Sequence, residues 1–210
     1  MAAANTREQL LQKLQKLHNN NMFTNLKFEN VKKILIIISS LLVMQANAQF
    51  KEATLVASGL TCAMCSNAIY KSLQKLPFAG QIKSNIKESS FTISFKENTI
   101  ADFDAIKKAV EGAGFSVANL KVKANFEDSK ISNDTHLDMQ GKTLHFLNVK
   151  SQTLKGEHTF KVVDKKFTSD KEYKKFAAST KMECVKTGTM ESCCKKEGSE
   201  EGKRIYHVTI

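Results

Sequence analysis

Cys62 and Cys65 sit three positions apart in Gly59-Leu60-Thr61-Cys62-Ala63-Met64-Cys65. Two thiols at this spacing form a small dithiolate. Thiolate sulfur is a soft ligand that selects Cu(I), Zn(II) and related ions. The same spacing also serves thiol–disulfide exchange, or a simple structural disulfide. Which chemistry applies depends on what holds the pair. An apolar, strand-like run, Ala53 to Ser58, precedes it. A run from Ser66 to Leu76 follows, with Ile69, Leu73 and Leu76 on one helical face. A helix that starts at the cysteines favours anionic sulfur at its N-terminus.

Beyond the pair, residues 53 to 124 read as strand, helix, strand, strand, helix, strand. The second strand is expected over Gln81–Lys87 and the third over Ser90–Lys96, with Glu88-Ser89-Ser90 as the turn. Phe91, Ile93 and Phe95 alternate with Thr92 and Ser94, the period-two pattern of a half-buried strand. A second helix from about Ala101 to Glu111 places Phe103, Ile106 and Val110 inward. Thr99 or Asp102 is its expected cap, and Gly112 and Gly114 stop it. The last strand runs from Phe115 through Val117, Leu120 and Val122. This order is the ferredoxin-like βαββαβ arrangement, an α+β fold.

With these pieces in place, residues 53–123 resemble the heavy-metal-associated domain of copper chaperones, metal-exporting ATPases and a periplasmic mercury-binding protein. The match is carried by the Gly59–Cys65 loop, by Leu73-Gln74-Lys75-Leu76-Pro77 and by Ala109-Val110-Glu111-Gly112-Ala113-Gly114-Phe115. The resemblance implies that Cys62 and Cys65 are the metal ligands. Leu60 stands where the family usually has a buried methionine anchor. Thr61 precedes the first cysteine, as in copper-type members, and Phe115 is expected to shield the site. Zinc- and cadmium-type members often carry an acidic residue near the loop, and none lies between Ala53 and Tyr70. Two thiolates satisfy Cu(I) but leave Zn(II) short of its usual four ligands. The expected ion is therefore Cu(I), with Hg(II), Zn(II) and Cd(II) as further candidates. The resemblance implies a metal-exporting ATPase or another envelope metal-binding protein as the transfer partner. A thioredoxin-like fold fits less well. It needs a proline set against the active site from far along the chain, and the single proline, Pro77, ends the same helix.

The N-terminal segment reads as an address. Lys27, Lys32 and Lys33 precede the apolar run Ile34–Val43, and Ala46-Asn47-Ala48 follows. These are the three regions of a secretory signal peptide, here 22–48, cleaved after Ala48. The run is too short for a stable membrane anchor, since a span needs about 20 apolar residues. No cysteine follows the cleavage site to take a lipid. Residues 1–21 are expected to be an artefactual extension ahead of a start at Met22. The chain carries a net charge of +11. Removing residues 1–48 takes away six basic and two acidic residues and leaves +7. The lysines are scattered without an arginine-rich or aromatic-interleaved stripe, so the charge reads as a solvated surface and not a nucleic-acid interface.

Residues 124–140 are polar and read as a linker. Residues 141–210 read as a separate small β-rich domain, with OB-like as the expected form. Its strands are expected at Lys142–Val149, His158–Val163 and Arg204–Ile210, with a Gly156 turn between the first two. A helix is expected at Ser169–Ser179 with Tyr173, Phe176 and Ala177 inward. This half holds Cys184, Cys193 and Cys194, near Met182 and Met190. They are candidates for a disulfide or for a second soft-metal site. His136, His145, His158 and His207 share no spacing and read as ordinary polar residues. The chain shows no phosphate loop, nucleophile elbow or His-Glu-x-x-His helix, so no catalytic constellation is expected. Three functions fit: a metal carrier, a thiol–disulfide redox protein and a passive envelope scavenger.

Overall fold

A computed structural model describes residues 49–60, 62–194 and 202–210. The expected signal peptide, the extension at 1–21 and Thr61 lie outside the described residues. β1 (Gln49–Ser58), α1 (Ala63–Gln74), β2 (Ala79–Asn85), β3 (Ser90–Phe95), α2 (Phe103–Gly112) and β4 (Ser116–Ile131) follow the expected order. Their strands lie side by side as β2-β3-β1-β4, all antiparallel. α1 buries Ile69 and Leu73, while α2 buries Phe103, Ile106 and Val110, the faces that the apolar spacing marks out. Asp102, not Thr99, caps α2: its carboxylate accepts the Ala105 N–H at 3.1 Å. The Ser72 hydroxyl donates to the Ala109 carbonyl at 2.7 Å and ties α1 to α2.

The second half departs from expectation. β5 (His136–Met139), β6 (Lys142–Phe146), β7 (Gln152–Val162) and β8 (Ile205–Thr209) are β-rich as foreseen. They extend the same sheet instead of closing as an OB-like barrel. The order is β2-β3-β1-β4-β7-β8-β6-β5, with β6 and β8 parallel. The expected linker at 124–140 is mostly strand, with a turn at 132–135. β4 continues through it to Ile131, pairing with β1 along one edge and with β7 along the other. A register shift between Phe126 and Ser129, with Asp128 at a φ of 37°, breaks the alternation there. The polar residues Glu127 to Lys130 therefore hide a strand whose Ala124, Phe126 and Ile131 are buried. Gly156 is not a turn. It lies inside β7 opposite Phe126 with a φ of 78°, a strand glycine at an irregularity.

One core therefore serves both halves. Phe103 of α2 packs against Phe50 and Tyr206, with ring centroids at 5.1 and 5.0 Å, and against Phe160 at 6.3 Å. A charged seam runs beside it. The Arg204 guanidinium donates to Asp104 of α2 at 2.9 Å and to Asp164 at 2.8 Å, and the Tyr206 hydroxyl donates to Asp104 at 3.0 Å. Burial pushes the Asp104 carboxyl up, but hydrogen bonds from Arg204 and Lys107 outweigh it and hold the group well below the usual carboxylate range. Burial, and then the Asp104 charge, raise the Tyr206 phenol. α3 (Asp170–Ala177) and α4 (Cys184–Thr187) cover a second apolar cluster containing Leu147, Val163, Phe176, Val185 and Ile205. Phe176 is buried, with Tyr173 and Ala177 packed beside it, as expected. No helix among the described residues is long and apolar enough to cross a membrane.

Candidate metal centre

The loop between β1 and α1 is fixed at its base. The Ser58 and Ser116 hydroxyls lie 2.9 Å apart and link the end of β1 to the start of β4. Gly59 then turns the chain with a φ of 84°, in the region that favours glycine. A side chain there would lie 3.9 Å from the Phe115 ring, so Phe115 stands beside the loop. Both Leu60 and Phe115 pack, partly buried, against the main core.

Cys62 occupies the N-cap of α1 in extended conformation, and the Ser66 N–H donates to its carbonyl at 3.2 Å. Cys65 lies in the first helical turn. The two Sγ atoms are 3.0 Å apart, with Cys62 exposed and Cys65 half-buried. The Cys65 thiol, then the backbone N–H groups of Cys65 and Met64, lower the Cys62 thiol below its ordinary value. Met64 is 84% exposed. α1 has no acidic residue in its first turn, so no carboxylate competes with the thiolates for the helix N-terminus.

Two thiolates on one ion would sit about 3.8 Å apart at tetrahedral geometry and about 4.6 Å apart in a line, from metal–sulfur bonds of about 2.3 Å. Reaching either distance from 3.0 Å requires rotation of the exposed Cys62 side chain. A disulfide, at about 2.05 Å, lies on the other side of the same value. The geometry therefore suits an open dithiol that can take an ion from solvent.

The C-terminal cysteines are placed differently. Cys184 opens α4, Cys194 ends a 3₁₀ turn at Ser192–Cys194, and both are buried in the second cluster. They are not bonded to each other. The Cys193 side chain lies outside the described residues. Cys184 Sγ lies 3.5 Å from His145 Nδ1, and the His136 ring stacks on His145 at 4.2 Å. The structure thus gathers two histidines that sequence spacing left unassigned. A usable signal existed, because His136 and His145 are equidistant from the Gln140-Gly141 turn and must pair across a hairpin. His158 lies elsewhere, on β7, with its Nε2 at 3.2 Å from the Lys155 carbonyl.

Residues 54–116 match the Heavy-metal-associated domain. Over 81 residues the chain is 30% identical to a probable copper-exporting P-type ATPase of Archaeoglobus fulgidus, a match covering 39% of this chain and 10% of that protein. The chain thus spans about a tenth of the length of that relative. Among solved structures it is similar to the CopZ metallochaperone, at 19% identity over 32% of this chain and 98% of that one, with a TM-score of 0.30. Oxidized MerP from Ralstonia metallidurans CH34 is similar at 21% identity, over 33% of this chain and 97% of that one, with a TM-score of 0.30. The Cu(I)-loaded N-terminal domain of a potential copper-translocating P-type ATPase from Bacillus subtilis gives 26% identity. That match covers 33% of this chain and 85% of that one, with a TM-score of 0.30. The chain carries a heavy-metal-associated domain at residues 54–116, its fourth strand continued into a larger β-rich sheet.

Proposed function

We propose that this protein is an exported carrier that captures Cu(I) between Cys62 and Cys65 and passes it to a partner by thiolate exchange. The observation that carries the reading is the exposed sulfur pair, 3.0 Å apart at a helix N-terminus with no acidic residue beside it. Two soft ligands suffice for Cu(I) and leave Zn(II) unsatisfied. An open site suits transfer, because an incoming thiolate can bind before an old one leaves. A metal-exporting ATPase or another envelope metal-binding protein is the proposed acceptor. Support comes from the 81-residue similarity to a probable copper-exporting ATPase. Export rests on the signal-like residues 22–48.

The test is anaerobic titration of the reduced full chain with Cu(I) against a chelator, beside Zn(II). The carrier reading predicts that Cu(I) is held by the loop at one equivalent and that Zn(II) at equal concentration does not displace it. The same sulfur separation favours a second reading, thiol–disulfide exchange, because closing to a disulfide is also a short movement. That reading predicts weak Cu(I) binding and reduction of a test disulfide by the metal-free chain.

A further inference from the structure

The strand register lines up three histidines. His136 of β5 pairs with His145 of β6, and His145 pairs with His207 of β8. Paired residues on neighbouring strands share a face of the sheet. α4 brings Cys184 onto that face, 3.5 Å from His145 Nδ1. One nitrogen each from His136 and His145, together with Cys184 Sγ, lie within 4.8 Å of one another. A thiolate and an imidazole sharing a tetrahedral ion would be about 3.6 Å apart, given metal–sulfur and metal–nitrogen bonds of about 2.3 and 2.0–2.1 Å. The Cys184–His145 separation meets that requirement as it stands, while the half-buried His136 ring, stacked on His145 at 19°, has to turn to aim its nitrogen at the same ion.

The surroundings prepare the ligands. His145 Nε2 lies 3.2 Å from the Asp134 carboxylate, which holds that nitrogen as the donor and turns the bare Nδ1 toward Cys184. His207 donates Nδ1–H to Asp164, 2.5 Å away, and its ring lies 5.0 Å from that of His145. Its Nε2 is buried without a hydrogen-bond partner among the described residues, which buried polar atoms rarely are.

We infer that His136, His145 and Cys184 form a second, enclosed site for one borderline-soft transition-metal ion, Zn(II) or copper, distinct from the exposed cysteine pair. Two imidazoles and one thiolate suit both ions. Cys184 and His145 are both fully buried, so an ion held there is retained, whereas the exposed loop exchanges its cargo. The site would pin β5, β6 and α4 together.

The test uses the full reduced chain carrying Cys62→Ser and Cys65→Ser. Co(II), as a spectroscopic stand-in for Zn(II), and Cu(II) are titrated separately. Whichever binds more tightly at this site identifies the ion class. The expected result is one equivalent bound with a thiolate-to-metal charge-transfer band, Zn(II) displacing Co(II). Cys184→Ser removes the band. His136→Gln, at a half-buried position where folding should survive, removes a ligand and weakens binding by more than the roughly 10–100-fold that loss of an outer-shell partner costs, with an unchanged circular dichroism spectrum. Absence of binding in the double-serine chain overturns the inference. So does a band that persists in Cys184→Ser, which would point to Cys193 or Cys194. An affinity unmoved in His136→Gln overturns it as well.

Discussion

Cys62→Ser is expected to weaken Cu(I) binding at the loop by more than the roughly 10–100-fold that loss of an outer-shell partner costs a metal site. The change removes a ligand outright. A serine hydroxyl is a hard donor and does not ionise near neutral pH, so the remaining Cys65 sulfur would hold the ion alone. Cys62 is also the more nucleophilic partner by position. It is exposed, caps α1, and has its thiol lowered by the Cys65 thiol and the backbone N–H groups of Cys65 and Met64. Serine is itself a good helix cap, so the fold should tolerate the change. Chelator competition with the variant should therefore show the affinity lost while the thermal transition stays within about 0.5 kcal/mol of the parent, as for surface substitutions. Affinity retained in Cys62→Ser would move the ion away from this loop.

Phe103→Ala should destabilise the chain by about 3–5 kcal/mol, the range for deleting a buried aromatic ring. The upper end is expected, because the ring makes edge contacts with Phe50, Phe160 and Tyr206, and such pairs add about 0.5–1.5 kcal/mol beyond area burial. Those partners come from β1, β7 and β8, so the loss is shared by the βαββαβ unit and the C-terminal strands. Denaturant unfolding followed by far-UV circular dichroism and by tyrosine fluorescence, which the absence of tryptophan leaves clean, should give one shifted transition by both probes. Two separated midpoints would contradict a shared core.

The βαββαβ unit was legible because its apolar residues keep their periods. Phe91 and Ile93 alternate, and Ile69 with Leu73 and Phe103 with Ile106 and Val110 recur at helical spacing. The cysteine pair was legible because it stands at the junction of two such patterns. The boundary after residue 123 was not. β4, 16 residues long, runs on past residue 123 to Ile131, but its irregularity at Phe126–Ser129 interrupts the alternation, and its solvent-facing residues read as linker. Gly156 misled in the same place, because a glycine opposite a strand irregularity has the composition of a turn. The histidine cluster was only partly legible: the hairpin spacing pairs His136 with His145, but nothing along the chain brings in His207 and Cys184. It depends on a hairpin register and on a parallel pairing between β6 and β8, and parallel partners are joined only through a long crossover.

X-ray absorption at the copper edge tests the central claim most directly. The reduced full chain would be loaded with one equivalent of Cu(I) under anaerobic conditions. Two sulfur neighbours and no imidazole nitrogen are predicted, the signature of Cys62 and Cys65 acting together. A first shell containing imidazole nitrogen, or a single sulfur, would contradict the assignment of the cargo to this pair.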